Sequence, residues 1–367
     1  MLTRARGPAP TLGADTAAFI RERAAGADRG EHDLVEDLAA LARDGLATAV
    51  LPSRDGGHGF GSEAHAALET CDVLRAVGRA SLSVGRLFEG HVNAAKLVAL
   101  YGSPEQREAT ATLVREGGWL GVWGAEGTPP TRIQGERLAG SKRFASGLGH
   151  IRRAVVSIAA DDGLRLVLAD VSDPARADAS SWRVGGMRAT ASGTFSFDGL
   201  PYEPLGEPGD YVREPHFEGG VWRYCAVHLG GAEALHDEMV TLLGRMKRTA
   251  DPHQAHRIAR SAIALETARL WIERAAERVE GDVARDEPDP AGAAAAALLA
   301  REVTEEACLS VMHIAEKALG TVAHSADLPI ERMRRDLGLF LRQANPDGKL
   351  AHAAAALVER GGRTENL

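Results

Sequence analysis

The residues best placed to hold a ligand lie in one stretch, from Gly118 to Ser146. Trp119, Trp123 and Phe144 stand there among glycines and alanines, so flat apolar surface adjoins accessible backbone N–H groups. The plainer reading of the same residues is a glycine-rich entry into a β region. Elsewhere reactive side chains are sparse. His253 and His256 have the i, i+3 spacing of a metal pair, but no Cys or acid stands at ligand spacing to complete it. Cys71, Cys225 and Cys308 are odd in number, far apart and form no CxxC pair, which argues against both a zinc site and a disulfide framework. A reducing, cytoplasmic setting fits best.

Helices must position this stretch on both sides. Apolar spacing predicts them over residues 14–28 and 33–45, then Glu63–Val77, Leu87–Tyr101 and Pro104–Glu116. Ser103-Pro104-Glu105 supplies an N-cap, a proline at the first helical position and an early acid. The glycine-rich segment Leu51–Gly61 departs from GxGxxG spacing and reads as a turn-rich connection. From Gly118 the pattern changes. Val155–Ala159, Leu164–Val171 and Thr194–Phe197 have strand character and are separated by Pro and Gly clusters. Long helices return with Trp222–Met246, Ala255–Val283 and Ala291–Leu319, followed by Leu328–Gln343 and Gly348–Arg360. The fold class is therefore α+β and mostly α. A helical N-terminal domain (1–117) precedes a small middle β-barrel or sandwich (118–213) and a C-terminal helical bundle (214–367).

Composition bounds the function. The 367 residues carry 43 basic and 51 acidic side chains, a net charge of −8, which argues against general nucleic-acid binding. No stretch has the length and apolarity of a membrane span, and Met1 to Thr11 lacks the apolar core of a signal peptide.

Several short motifs, in order, resemble those of acyl-CoA dehydrogenases. Leu51–Gly59 resembles P-x-x-x-G-G-x-G, and Tyr101–Arg107 resembles G-[ST]-x-E-Q-[KR]. Gly140–Ser146 is similar to G-x-K-x-[WYF]-[IA]-[ST]. Gly186–Thr190 is similar to G-M-R-x-[ST], and Arg332, Arg335 and Asp336 to R-x-x-R-D. The resemblance covers residues 30 to 345. It implies a three-domain flavoprotein that binds FAD without a covalent link, as a homodimer or homotetramer, and acts on a small acyl substrate such as a CoA thioester. By position it points to Trp123, Ala125, Phe144 and Ser146 around the flavin ring, with Glu126 supporting the loop. Arg248 and Gln254, with Arg245, His253 and His256, fall where a neighbouring subunit meets the adenosine and pyrophosphate end. A solvated basic turn is the plainer reading of that cluster.

The chain departs from the family at the base that removes a proton from the substrate. In most members a Glu stands nine or ten residues beyond the R-D Arg, and here that place holds Ala344 and Asn345. The other family position for it, before Arg223, holds Trp222. Asp347 is the nearest acid and is the weak catalytic candidate, although its place before the last helix suits an N-cap better. The G-S-D that follows T-E-P in relatives is replaced by Thr128–Thr131. Three functions stay open. One is an FAD-dependent dehydrogenase of an acyl thioester with an unconventional base, one a flavin monooxygenase on the same fold, and one a homologue without catalysis. An electron-transfer partner or O2 would serve as acceptor.

Overall fold

The computed structural model describes residues 8–363, so most of the Met1–Thr11 segment and the last few residues lie outside the described chain. Six helices come first: α1 (Ala14–Arg29), α2 (Val35–Arg43), α3 (Leu46–Ala49), α4 (Ala67–Ala80), α5 (Leu82–Tyr101) and α6 (Pro104–Arg115). Between α3 and α4 the glycine-rich segment forms turns and 3-10 pieces, held where Glu63 accepts the Ser53 backbone N–H at 2.7 Å. The start of α6 is a capping box. Ser103 Oγ accepts from Gln106 N, while the Gln106 side chain accepts from Ser103 N.

The β part follows as β1 (Trp119–Trp123), β2 (Arg132–Gln134), β3 (Arg137–Ala139), β4 (Ser141–Lys142), β5 (Ile151–Ala160), β6 (Gly163–Asp170), β7 (Ala177–Asp178), β8 (Thr194–Ser196) and β9 (Glu203–Leu205). Its sheets are ordered β1-β5-β6-β9, β4-β8-β7 and β2-β3. β1 runs parallel to β5, which forces the intervening residues 124–150 to travel back across the sheet. That excursion carries most of the glycine-rich stretch.

Five helices complete the chain: α7 (Trp222–Arg245), α8 (Pro252–Gly281), α9 (Pro290–Leu319), α10 (Pro329–Phe340) and α11 (Pro346–Glu359). Asp251 and Asp289 cap α8 and α9 ahead of prolines, accepting backbone N–H groups at 2.8 Å (His253) and 3.0 Å (Gly292). α7, α8 and α9 pack as a bundle, with α4 and α5 laid against α7. The crossing of α4 and α7 needs glycine on both sides. A Cβ at Gly78 would lie 2.4 Å from Val227 O, and one at Gly230 would lie 2.0 Å from Arg75 O.

α5 is enclosed between α4, α7 and β1, so even its polar residues Glu89, His91 and Lys96 are buried. His91 answers that burial with both ring nitrogens, one 2.9 Å from Ala47 O and the other accepting Leu120 N–H at 3.0 Å. Burial lowers its pKa to about 4, so the ring is neutral. Among the described residues no helix is long and apolar enough to cross a membrane.

Candidate functional site

The platform begins at β4. Arg143 N–H reaches Ala125 O, and Ala145 and Gly193 exchange a pair of backbone hydrogen bonds at 2.9 and 3.2 Å. These bonds hold Phe144 in the left-handed region (φ 55°), with its ring 53% exposed. Trp182 meets that ring edge-on at 5.8 Å between centroids, and the Arg143 guanidinium lies 4.7 Å from its centre. Beside it runs a row of hydroxyls. Ser192 Oγ donates to Ser146 Oγ at 3.1 Å and lies 2.8 Å from Thr190 Oγ1, which donates to Met187 O at 2.7 Å.

Phe144, Trp182, Ser146, Met187, Thr190 and Ser192 line a cavity of about 290 Å³, together with Leu339, Phe340, Arg86, Arg342 and Gln343. Among its described lining residues there is no carboxylate, His, Lys, Tyr or Cys. The surrounding backbone is strained. Five described non-glycine residues with positive φ lie in or beside the cavity's lining segments. Phe144, Met187 and Ala191 are in the cavity loops, and Ala344 and Asn345 follow Gln343.

The cavity wall from Trp182 to Thr190 is fastened by the second half of the chain. Met187 N–H donates to Asp336 Oδ1 at 2.6 Å, and Gly186 packs so tightly on Arg335 that a Cβ would sit 2.2 Å from its carbonyl oxygen. Arg188 binds both oxygens of Asp28 at 3.0 and 2.6 Å, and Arg335 reaches the same carboxylate at 2.8 Å. Burial alone would raise the Asp28 pKa, but the two guanidinia hold it below the usual carboxylate value. One acid of α1 thus joins the two arginine motifs. Sequence reasoning missed it because nothing local to α1 marks it.

A second cavity of about 160 Å³ lies along α5, with Lys96, Asn93, Val122, His216 and Arg223 on its wall. An ionic chain follows this face of α5. Arg86 pairs with Glu89, Glu89 accepts from Asn93, Asn93 accepts from Arg223, and Arg223 meets Glu280 at 2.9 Å. Glu280 also pairs with Lys96 and accepts Trp222 Nε1–H at 3.1 Å. A carboxylate therefore does stand beside Trp222, contributed by α8. Lys96 and Arg223 overcome its desolvation and hold its pKa below the ordinary value, so it stays ionised. Its oxygens are engaged by three donors, which makes it a structural counter-ion and a poor base.

The structure separates the sequence-derived candidates. Phe144 and Ser146 line the larger cavity. Trp123 does not. Its side chain turns into the β core against Phe195 and Phe197, with Nε1–H donating to Ser146 O at 3.1 Å, and Val122 faces a cavity in its place. Strand alternation decides this parity. Ala125 contributes its carbonyl to the loop. Glu126 is taken up by Lys142, and it accepts Thr131 N–H at 2.9 Å.

Arg248 and Gln254 lie beyond the far end of α7, roughly 25 Å along the helix from His228 at 1.5 Å per residue. The two are not brought to this chain's cavity. Gln254 is buried, and its Oε1 has no partner among the described residues. Asp347 is corrected as an N-cap. Asn345 occupies that position in the left-handed region without a side-chain capping bond, and Asp347 is exposed in the first turn of α11, outside both cavities. Among the described residues no group of three or more His, Cys, Asp or Glu side chains is arranged to hold a metal ion.

Family models give this geometry its context. Residues 14–117 match the acyl-CoA dehydrogenase N-terminal domain and residues 223–340 match the acyl-CoA dehydrogenase C-terminal domain, which together take in more than half of the chain. The chain belongs to the acyl-CoA dehydrogenase-like family. Within it, a dibenzothiophene monooxygenase of Rhodococcus erythropolis is 31% identical over 216 residues, 53% of this chain and 49% of that protein. A second dibenzothiophene monooxygenase of that species is 29% identical over 301 residues, 72% of this chain and 70% of that protein. The chain thus spans about half the length of the first curated relatives it matches.

Two solved structures share the acyl-CoA dehydrogenase-like fold across nearly the whole chain. The FMN-bound TdsC of Paenibacillus sp. A11-2 superposes with a TM-score of 0.79 at 22% identity, covering 94% of this chain and 96% of its own. Butyryl-CoA dehydrogenase of Megasphaera elsdenii gives 0.79 at 18% identity, covering 95% and 96%.

Proposed function

We propose that this chain is a flavin-dependent monooxygenase acting on a flat aromatic or heteroaromatic compound. The observation that carries the reading is the base-free lining of the cavity around Phe144, Ser146, Thr190 and Ser192. Removing a substrate proton requires a basic group within hydrogen-bond reach, and among the described residues that wall has none. The matched dibenzothiophene monooxygenases support the same reading.

The residues present suit a flavin. A half-exposed aromatic on strained backbone, a second ring set edge-on to it and a hydroxyl row make a slot for a flat group with one polar edge. A bound flavin supplies two-electron chemistry, accepting hydride when oxidised or delivering electrons to O2 when reduced. Phe144 and Trp182 would support its ring, and the hydroxyl of Ser146 would orient its polar edge. Leu339 and Phe340 keep water from the apolar side. One oxygen atom of O2 enters the substrate and the other leaves as water, with two electrons supplied by a reduced nicotinamide, directly or through a reductase.

FMN is the form to test first, since FMN-bound TdsC shares the fold. FAD, the form implied by the sequence motifs, would extend toward Arg248 and Gln254 of a second copy, where the unpaired Gln254 Oε1 would accept from a ribose or adenine donor. That arrangement needs a homodimer or larger oligomer. A cytoplasmic location is part of the proposal and suits three buried, unpaired cysteines.

The second reading, dehydrogenation of an acyl thioester, is favoured by the likeness to butyryl-CoA dehydrogenase. The two are separated by one pair of experiments. Oxidised holoprotein is mixed anaerobically with butyryl-CoA, and reduced holoprotein is mixed with ¹⁸O-labelled O2 and indole or dibenzothiophene. The proposal predicts no bleaching in the first and one labelled oxygen in the product of the second. Bleaching by the thioester without oxygen incorporation overturns it. Extraction and mass analysis of the cofactor distinguish FMN from FAD.

A further inference from the structure

Three arginines from three elements act on His228, whose ring packs on Phe340 of the Phe144 cavity. Phe340 packs edge-on against the His228 ring at 4.4 Å. Arg86 comes from α5, Arg301 from α9 and Arg342 from the segment after α10. His228 is buried, and burial first, then the fields of Arg301, Arg86 and Arg342, push its pKa down to about 3. It adds no charge at neutral pH.

The acids available to these arginines leave donors unused. Among the described residues the Arg86 side chain gives one hydrogen bond, to Glu89, and that of Arg342 gives one, to Glu305. Each guanidinium has five N–H donors. Behind the wall, Arg301 binds Glu305 at 2.6 Å and Leu341 O at 3.3 Å, with Glu302 at 3.7 Å. Among the described residues its Nε and Nη1 make no hydrogen bond although its side chain is 3% exposed, and the Tyr224 hydroxyl lies within its field. Arg86 and Arg342 are the only charged side chains on the cavity's described lining. They line an otherwise mostly apolar slot, with Phe144 and Trp182 also on its wall.

We propose that the Phe340 end of the cavity, between Arg86 and Arg342, binds a carboxylate or similar oxyanion, so that the substrate is a flat aromatic acid. This rests on the reading above only in taking the substrate to be flat and aromatic. Guanidinium favours planar oxyanions because its fork presents two parallel donors. The flavin's own phosphate is the competing source of such an anion, and the experiment separates the two.

The purified protein, as isolated and after saturation with FMN, is titrated calorimetrically with naphthalene-2-carboxylate and with its neutral amide. The carboxylate is expected to bind at least about tenfold more tightly. Arg342→Gln, at a half-exposed side chain, removes most of that preference and leaves amide binding unchanged. Arg86→Lys, which keeps the charge beside buried Glu89, weakens it several-fold. Arg165→Gln, on the exposed β6 surface, changes nothing. Equal affinity for acid and amide, or a preference that survives both variants, overturns the proposal. The variants are also titrated with FMN and with riboflavin. A loss confined to FMN, with carboxylate binding intact, assigns the arginines to the cofactor phosphate and overturns it too. A carboxylate preference in protein that binds no flavin upholds the anion site while removing the monooxygenase reading.

Discussion

Asp28→Asn is the sharpest probe of how the cavity is held. The change keeps the shape of the side chain and removes its charge. Asp28 accepts three charge-assisted hydrogen bonds, at 3.0, 2.6 and 2.8 Å, from two arginines on different elements. Breaking a fully buried pair costs about 3–5 kcal/mol, whereas an exposed pair contributes about 0–1. Asp28 is buried, but the Arg188 side chain is 46% and that of Arg335 25% exposed, so water recovers part of the loss. The expected destabilisation is about 2 kcal/mol, roughly a 30-fold change in the unfolding equilibrium.

Because the Asp28 pKa is lowered in the folded chain, this contribution is complete above the unfolded value of 3.8 and is lost as pH falls through the folded value. Wild type and variant should differ fully at pH 7 and converge below about pH 4. The assay is paired urea unfolding across that range, with flavin titration at pH 7, where a several-fold weaker affinity is expected as the Met187 turn relaxes. Equal unfolding midpoints and equal flavin affinity at pH 7 would refute the claim that one carboxylate fastens the loop.

Ser146→Ala removes one member of the hydroxyl row, and flavin affinity followed by absorbance should fall about fivefold, the worth of roughly 1 kcal/mol. His228→Gln should flatten the acid limb of stability. His228 titrates near 3 when folded against 6.5 unfolded, so wild type loses stability as pH drops from 6.5 toward 3 by up to about 1.4 kcal/mol per unit; an identical acid limb in the variant contradicts this. Asp347→Asn should leave turnover within about twofold, because the side chain is exposed and lines neither cavity. A drop of a hundredfold or more in steady-state rate would return Asp347 to the site.

Much of the fold was legible because its signals are local. Ser103-Pro104 starts α6 and Gly320 ends α9, since each end is settled by capping chemistry within a few residues. The paired motifs around Met187 and Arg335 were readable as separate segments. Their meeting through Asp28 was not, because α1 reaches them only by tertiary packing. Trp123 against Val122 shows a different limit. The composition marks the strand, but which alternate side chain turns into the β core and which lines the α5 cavity depends on its pairing with β5. Glu280 is the third case. It lies deep in a long amphipathic helix, and only the depth of Lys96 and Arg223 makes a carboxylate necessary there.

The parallel pairing of β1 with β5 has a consequence for how such a chain can diversify. Two parallel neighbours cannot be joined by a tight turn, so a return trip of some length is obligatory. Residues 124–150 make that trip. Substitutions along it can reshape the wall a ligand meets while the ladder between Trp119–Trp123 and Ile151–Val156 keeps its register. Catalytic novelty can therefore accumulate in a segment the sheet requires but does not read.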